Sequence, residues 1–426
     1  MRHFAPSAPQ MVGDWLVRRR WQFATSLAIA VILPLVLRWL LPGDYLPSAT
    51  SHSALANAVA VTFAFWARLS FEPYPGIRQS TVIFPTAAAA HGVVLAFFFF
   101  TRLPYDRFGF LLGFVLHVVW AYGIYFVIQR RRRLTIGVVP VGEHRRLQSI
   151  DTVVWVPLSV PSLDLARRCD AVVADFAADL PGDWEAFLAD AALEGLTVYQ
   201  VKPLEESLTG RVQVKHLSEN SFGSLVPTRG YFHFKAVLDW LLAAAALPLL
   251  LPVLLCAALA IRVEDGGPVF FRQKRIGHRG QPITVIKFRS MRIADGPQDP
   301  KQAALTGVSD PRITIVGQIL RRTRLDELPQ IWNILRGEMS WIGPRPEAAI
   351  LSSHYAGDIP FYRYRHVVKP GISGWAQVNQ GHVVDLHDID RKLQYDFYYI
   401  KYFSPWLDLL IVFKTLRTMV NGFGAR

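Results

Sequence analysis

The sequence is poor in cysteine. Cys169 and Cys256 are the only two cysteines among 426 residues. One lies in a polar stretch and the other in an apolar stretch. Two isolated cysteines cannot form a disulfide framework, and their spacing matches no metal-binding pattern. A cross-linked secreted fold and a cysteine-based zinc site are therefore excluded.

Acidic residues are also scarce relative to basic ones. The chain has 33 Asp and Glu against 46 Lys and Arg, and its formal net charge is +13. A positive excess of this size can indicate nucleic-acid binding, but no recognised nucleic-acid-binding module is present. Because the basic clusters flank apolar segments, we expect anionic lipid headgroups and nucleotide phosphates as partners, and no nucleic acid.

Apolar residues, in contrast, are abundant. They make up 51% of the chain, and the mean hydropathy is +0.23. Four apolar runs occupy residues 24–41, 54–69, 82–100 and 108–128. Each is close to the ~20 residues that a helix needs to cross a bilayer. We predict a membrane protein with four transmembrane helices in residues 1–133. A cleaved signal peptide is excluded because three further runs follow the first.

Basic residues predict how these helices are oriented. Residues 18–20 precede the first run, Arg68 and Arg78 lie between the second and third, and residues 130–133 follow the fourth. If all four runs cross, these clusters fall on one side, which is the cytoplasmic side by the positive-inside rule. The predicted location is the bacterial inner membrane, with the rest of the chain in the cytoplasm.

Residues 134–225 predict a small α/β domain. Apolar strands are expected at residues 134–141, 153–156, 171–175 and 197–201, with a helix at 184–193. A working dinucleotide site needs a Gly-rich turn after the first strand. Residues 137–143 contain no G-x-G-x-x-G pattern, so we predict a degenerate Rossmann-like cytoplasmic domain. Its role is structural, dimerising or regulatory, which leaves a homodimer open.

A fifth apolar run, residues 240–261, opens the C-terminal part, residues 226–426. Basic residues lie on both sides of it, and Pro248 and Pro252 interrupt it. Each proline removes a helical hydrogen bond and favours a bend. We predict a re-entrant helix hairpin over residues 235–262 that enters and leaves on the cytoplasmic face. A straight fifth span is the alternative.

Two adjacent acids, Asp326 and Glu327, lie among arginines at a predicted helix start. Asp326 is expected as the N-cap, with Pro329 in the first turn. A helix start beside arginines attracts phosphate, which the two acids would repel. A bound Mg²⁺, held by Asp326 and Glu327, would resolve this conflict. A capped helix with surface salt bridges is the simpler alternative.

Further residues could contact a substrate. Lys287 and Arg289 follow a predicted strand and could reach phosphate, or they could be an exposed strand end. Arg345, fixed between two prolines, suits a pair of phosphate oxygens or a structural salt bridge. Gln377 or Asn379 could read a uracil edge, or Trp375 in the same stretch could simply pack. Residues 406–420 fit an interfacial helix lying on the membrane or a core helix.

Five motifs stand in a fixed order. They are Gly267-Pro268-Val269-Phe270-Phe271-Arg272-Gln273-Lys274-Arg275, Ile286-Lys287-Phe288-Arg289-Ser290, Asp326-Glu327-Leu328-Pro329-Gln330, Gly343-Pro344-Arg345-Pro346 and Pro370-Gly371-Ile372-Ser373-Gly374-Trp375-Ala376-Gln377-Val378-Asn379. In this order they closely resemble the bacterial sugar transferases, which are polyprenyl-phosphate hexose-1-phosphate transferases or monotopic phosphoglycosyl transferases. The chain resembles the larger form of this family.

The resemblance implies an α/β monotopic catalytic domain that moves hexose-1-phosphate from a UDP-hexose to undecaprenyl phosphate and releases UMP, which initiates exopolysaccharide, capsule or O-antigen synthesis. It implies that Asp326 forms a covalent phosphosugar intermediate and that Arg321 binds phosphate. Gln273 and Arg275 are assigned to substrate binding. It places Lys235 and Asp239 at the mouth of the hairpin and Pro252 at its bend.

Two other functions remain as alternatives. A glycosyltransferase that moves the sugar without its phosphate would release UDP instead of UMP. A catalytically silent membrane scaffold would release neither nucleotide. Asp326, Glu327, Arg321 and Arg345 argue against the scaffold, because a silent protein has no use for this group of residues. The sequence does not identify the sugar.

Overall fold

The structure is a computed structural model of the chain. It describes residues 18–40, 47–69, 80–131, 134–213, 227, 229–292, 312–380 and 386–421. Arg78, Arg132 and Arg133, which contribute to the predicted orientation, lie outside these residues. The described residues fall into two compact units, which divide between Thr209 and Gly210.

Helices form at all four predicted N-terminal spans. They are α1 (Arg19–Leu40, with a π-helical turn at Ala28–Ile32), α2 (Pro47–Leu69), α3 (Ser80–Thr101) and α4 (Arg107–Arg131). By length and composition α1, α3 and α4 can cross a membrane. Helix α2 is less apolar because it carries Ser51, His52, Ser53 and Asn57. Its buried side consists mainly of small residues, which allow neighbouring helices to approach closely.

The predicted α/β segment contains a four-stranded parallel sheet in the order β2-β1-β3-β4. The strands are β1 (Thr135–Val138), β2 (Val154–Pro157), β3 (Ala171–Ala174) and β4 (Thr197–Gln200). Helices α5 (Leu163–Ala166), α6 (Gly182–Leu193) and α7 (Val201–Thr209) accompany them. Each strand lies within one residue of its predicted start, since short apolar runs bounded by turns are typical of parallel strands.

In dinucleotide-binding domains, phosphate binds at the carboxyl end of the first strand. In this protein a carboxylate occupies that place. A 3-10 helix, Gly142–Ser149, follows β1. Asp175, just after β3, accepts the N–H of Glu143 at 2.9 Å, and Gly142 has φ +70°. A Cβ at Gly142 would lie 2.3 Å from the Asp175 carboxylate. The protein therefore supplies its own anion at this position.

The second unit begins with a long helix, α8 (Arg229–Asp265), and a hairpin of β5 (Phe270–Ile276) and β6 (Pro282–Phe288). The rest of the unit consists of α9 (Ile315–Arg322), a 3-10 helix (Leu325–Gln330), α10 (Ile331–Leu335), β7 (Ser340–Ile342), α11 (Ala349–Asp358), a second 3-10 helix (Tyr362–Val367), β8 (Gly371–Ser373), α12 (Trp375–Gln380), α13 (Leu386–Lys401) and α14 (Pro405–Asn421).

One side of α8 belongs to the core of this unit. Ala243 packs with Val285 and Ile331, while Ala257 and Ile261 pack with Phe288. The opposite side is apolar and exposed at Leu242, Leu249, Leu255, Leu259 and Val263. The helix is also long and apolar enough to cross a bilayer.

The sequence predicts a break in α8 at Pro248 and Pro252, but the structure has one helix through both prolines. A proline removes one main-chain hydrogen bond while its own φ stays helical. Packing of Leu247, Leu250 and Leu254 against the domain supports the turns on either side. The backbone is therefore helical at both prolines, where the sequence predicted an interruption, while the bend and the return to the same membrane face stay predictions.

Lys235 and Asp239, predicted at the mouth of the hairpin, lie in a buried ionic cluster. The Lys235 ammonium is 2.8 Å from Oδ2 of Asp408 and 3.6 Å from Oδ2 of Asp239. Asp408 also accepts hydrogen bonds from the hydroxyls of Tyr231 (2.5 Å) and Tyr399 (2.8 Å). These contacts fix the start of α8 to α13 and α14.

Candidate active site

Three segments bring the predicted phosphate-binding residues together. Lys287 lies near the end of β6, Asp326 and Glu327 lie on the 3-10 helix Leu325–Gln330, and Arg345 follows β7. Asp326 is not the N-cap, contrary to the sequence prediction. The residue before the 3-10 helix is Arg324, in the left-handed region at φ +61°. A non-glycine residue in this region costs about 1–3 kcal/mol and commonly marks a functional segment.

Glu327 is the centre of the cluster. Its Oε1 accepts hydrogen bonds from Nζ of Lys287 at 2.7 Å and from Nη2 of Arg345 at 2.5 Å. The side chain is buried. Burial alone would raise the pKa of Glu327, but the charges of Arg345 and Lys287 hold this pKa well below its ordinary value. Glu327 is therefore ionised, and it holds two cations side by side.

Asp326 has a different environment. Within the described residues its carboxylate forms no hydrogen bond or ion pair. Burial, and then the negative charge of Glu327, raise the pKa of Asp326, while Lys287, Arg345 and Arg321 act in the opposite direction. Two neighbouring carboxylates thus have pKa values pushed apart, which is typical of acids with different roles.

Arg321 lies in the last turn of α9. The Thr314 side chain caps this helix by accepting the N–H of Gly317 at 3.0 Å. Arg321 Nε donates to the Ser290 hydroxyl at 2.8 Å. Arg289, also predicted to reach phosphate, pairs instead with Asp265 at the end of α8 and packs against Gly267. Of these two arginines, Arg321 is the one whose positive charge lowers the pKa of Asp326.

Gln273 and Arg275 support the site from the side. Arg275 donates from Nε and Nη2 to Oε1 of Gln273 at 3.1 and 2.8 Å, and from Nη1 to the carbonyl of Pro346. Burial, and then the charge of Arg345, lower the pKa of Arg275 to about 10. All three donor nitrogens are used within the protein, so Arg275 holds the turn that carries Arg345.

The predicted uracil-reading residues are mostly used inside the protein. Asn379 donates to the carbonyl of Trp375 at 2.7 Å and accepts from Lys414 at 2.6 Å. Gln377 donates to the carbonyl of Ile372 at 3.1 Å, while its buried Oε1 has no hydrogen-bond partner within the described residues. Trp375 donates to the carbonyl of Gly210 at 2.8 Å. The structure thus favours the packing interpretation for Trp375, and Asn379 is held within the protein by Trp375 and Lys414.

The described residues contain no group of three or more His, Cys, Asp or Glu side chains that could hold a metal ion. Mg²⁺ can be bound with fewer protein ligands than such a group provides, because one or two carboxylates suffice when waters and substrate phosphates complete its coordination shell. Lys287 and Arg345 both contact Oε1 of Glu327, so neither uses Oε2. Asp326 together with this oxygen is a donor set that fits Mg²⁺.

Sequence reasoning missed a second layer of charged residues behind Arg345. Its members are Glu347, Arg365, Lys392 and Asp396. Asp396 is the only acid in the aromatic stretch from Tyr395 to Tyr402. An acid surrounded by aromatic residues must find a cation when it is buried, and this was the available signal.

The chain is similar to known proteins over the part that carries these motifs. The family described as Bacterial sugar transferase matches residues 230–422. A UDP-N-acetylgalactosamine-undecaprenyl-phosphate N-acetylgalactosaminephosphotransferase of Aeromonas hydrophila is 42% identical over 95% of this chain and 95% of its own length.

Two other relatives match a smaller part of the chain. A UDP-glucose:undecaprenyl-phosphate glucose-1-phosphate transferase of Escherichia coli is 47% identical over 42% of this chain and 38% of its own. A UDP-galactose-lipid carrier transferase of Erwinia amylovora is 35% identical over 45% and 41%. The predictions of the family and of an enzyme are confirmed: the chain belongs to the bacterial sugar transferase family.

Proposed function

We propose that this membrane enzyme transfers a sugar 1-phosphate from a UDP-sugar to undecaprenyl phosphate and releases UMP. The observation that carries the proposal is the contrast between the two acids. Glu327 is occupied by Lys287 and Arg345, whereas Asp326 beside it has no such partner within the described residues. The nearby cations suit a diphosphate, and the available carboxylate suits a nucleophile.

In the first step, a carboxylate oxygen of Asp326 attacks the phosphorus that carries the sugar. The bond from this phosphorus to the bridging oxygen breaks, and UMP leaves with the electron pair. Lys287 and Arg345 are already close to each other through Glu327. Each can contact phosphate oxygens as charge develops on them, with little reorganisation.

In the second step, a phosphate oxygen of the lipid attacks the same phosphorus. The acyl–phosphate bond to Asp326 breaks, and the carboxylate is restored. Dividing the transfer into two displacements lets one set of cations serve both. When bound, Mg²⁺ held by Asp326 and Glu327 would neutralise part of the diphosphate charge.

We propose N-acetylgalactosamine as the first sugar to test. The Aeromonas relative, whose name states this sugar, matches 95% of both chains, whereas the Escherichia coli glucose transferase matches 42% of this one. The lipid acceptor and the basic clusters Arg18–Arg20 and Arg68 favour an inner-membrane enzyme with its site on the cytoplasmic face. Helix α8 then enters and leaves the inner leaflet, and the product initiates a surface glycan.

The test uses the purified full-length protein with undecaprenyl phosphate and a panel of UDP-N-acetylgalactosamine, UDP-N-acetylglucosamine, UDP-glucose and UDP-galactose. Release of UMP together with a lipid-linked sugar diphosphate is the expected result. Release of UDP would identify a glycosyltransferase and contradict the proposal, and absence of any nucleotide with all four sugars would identify a scaffold.

A further inference from the structure

Arg365 and Asp396 form a buried ion pair behind Arg345 that the steps above do not use. They are 4% and 1% exposed. Nη2 of Arg365 lies 2.7 Å from Oδ2 of Asp396. Burying two charges is costly, and a buried ion pair often stabilises a fold no better than a well-packed apolar pair would. A buried pair close to a reaction site therefore needs an explanation other than stability.

The second contact of Arg365 points to one. The same Nη2 donates to the main-chain carbonyl of Arg345 at 3.0 Å, and Nη1 donates to the Tyr362 hydroxyl at 3.1 Å. The planar fork of a guanidinium can hold a carboxylate and a carbonyl in one fixed geometry. Arg365 thus connects Asp396 on α13 to the backbone of the residue whose side chain contacts Glu327.

The Asp396 carboxylate has few hydrogen-bond partners other than Arg365. Its Oδ1 has no hydrogen-bond partner within the described residues, and its Oδ2 accepts from Arg365. Burial raises the pKa of Asp396, and the charge of Arg365 opposes this increase. The contacts of the carboxylate therefore serve mainly to orient one guanidinium.

The turn around Arg345 depends on contacts of this kind. Pro344 and Pro346 have no N–H group to donate, so the turn is held mainly by hydrogen bonds that its carbonyls accept. Arg365 holds the carbonyl of Arg345, Arg275 holds that of Pro346, and the N–H of Ile276 donates to that of Glu347 at 3.1 Å. Three successive carbonyls are thus fixed from outside the turn.

We propose that the Arg365–Asp396 pair is a positioning device for Arg345. By fixing the backbone at this residue, it holds the Arg345 guanidinium where it meets the phosphate of the sugar nucleotide. The inference rests on the proposed function, because it assigns Arg345 to the reacting phosphate. A misplacement of about 1 Å can cost on the order of 10²-fold in rate.

The test is a double-mutant cycle in the full-length enzyme. The change Arg365→Met with Asp396→Leu removes both charges together, which avoids leaving one buried charge alone. It is made in the wild-type enzyme and in an Arg345→Lys background. The matched control is Arg167→Met with Glu194→Leu, which removes an exposed pair of the same 2.7 Å separation.

In the wild-type background we expect kcat to fall on the order of 10²-fold while KM changes little. In the Arg345→Lys background the same change should add little further loss, because residues that act through one another are not additive. Equal losses in both backgrounds, or an unchanged kcat in the first, would overturn the proposal. The control pair should leave kcat unchanged.

A second variant is used if the double variant does not fold. If the double change lowers the thermal midpoint sharply, Arg365→Lys replaces it in the same cycle, since lysine keeps the charge opposite Asp396 but cannot form the fork. The assay follows UMP and UDP together. A UDP product contradicts the proposed function, while the coupling between the two positions still decides the positioning role.

Discussion

The guanidinium of Arg345 donates to the carboxylate of Glu327 at 2.5 Å, and this contact joins two of the five sequence motifs. The oxygen that accepts it also accepts the Lys287 ammonium. One carboxylate thus keeps two like charges together before a substrate arrives. The role of Glu327 in the proposed reaction is to organise cations, and its second oxygen would be available to a bound Mg²⁺.

Asp326→Asn should abolish turnover, because an amide cannot be the phosphoryl acceptor. Mass spectrometry of the wild-type enzyme, incubated with the UDP-sugar alone, should show a phosphosugar adduct on Asp326. Asp358→Asn, at an exposed acid on α11, is the control and should keep full activity. An active Asp326→Asn enzyme together with an unmodified wild-type Asp326 would contradict the two-step mechanism.

Glu327→Gln should lower kcat strongly and also lower stability. Removing the carboxylate leaves the partly buried cations Lys287 and Arg345 without their shared partner, a change that costs at most about 3–5 kcal/mol. Loss of the second oxygen should also weaken Mg²⁺ affinity, on the order of 10–100-fold. UMP release measured against MgCl₂ concentration, together with thermal unfolding, checks both effects. An unchanged Mg²⁺ dependence would remove the metal role and leave only the organising role.

Activity should have an alkaline limit set by Lys287. Burial lowers the pKa of Lys287 to about 8. A lysine with a lowered pKa is charged below this value and loses its charge as the pH rises through it. The rate of UMP release should therefore fall above about pH 8, and Lys287→Arg should move this limit upward because arginine stays protonated. An alkaline limit that is the same in both enzymes would exclude Lys287 as its cause.

The two sides of the Lys235 cluster should respond unequally to substitution. One lysine faces Asp239 and Asp408, so Lys235→Met leaves two buried carboxylates without their cation. We expect a loss of about 3–5 kcal/mol. Asp408→Asn leaves one cation and one carboxylate and should cost less. Thermal unfolding of both variants in the same detergent measures the difference, and equal losses would show that charge balance does not govern this cluster.

Both ends of α8 should lie in the cytoplasm. Single cysteines at Gly230 and at the exposed Arg272 would be placed in a protein lacking Cys169 and Cys256. A membrane-impermeant thiol reagent should label neither position in intact spheroplasts and both in inverted vesicles. Labelling at position 272 from the outside would establish a fifth span and place the catalytic unit in the periplasm.

The sequence predicted segments better than it predicted contacts. Strands of the parallel sheet could be located because a short apolar run between turns is a local signal. Lys287, Glu327 and Arg345 were all expected near phosphate, but their shared geometry was not, since it depends on a turn and a strand meeting in space. Arg289 was also expected near phosphate, but it pairs with Asp265. This partner lies 24 residues away in the sequence and on another element, so no local pattern indicated the pair.

Helix α14 shows a second limit. Its apolar periodicity fits an interfacial helix, yet Leu410 and Ile411 are fully buried in the protein. Its Asp408 contacts Lys235, and its Lys414 lies over the Trp375 ring at 4.4 Å. Apolar spacing shows only which side of a helix avoids water, and either lipid or protein can cover that side. The buried Asp408, together with the buried Leu410 and Ile411, favours the core helix.

The two-sided packing of α8 determines what can be removed from this protein. Engineering a water-soluble form of the C-terminal unit alone by deleting residues 235–262 would also delete Ala243, Ala257 and Ile261, which form core clusters with Val285 and Phe288 of β6. Replacing the exposed leucines with polar residues, while keeping that inner stripe, is the only one of these two routes that leaves the core intact. The exposed side of α8 therefore determines whether this unit can be separated from lipid. The inner side of the same helix maintains the fold.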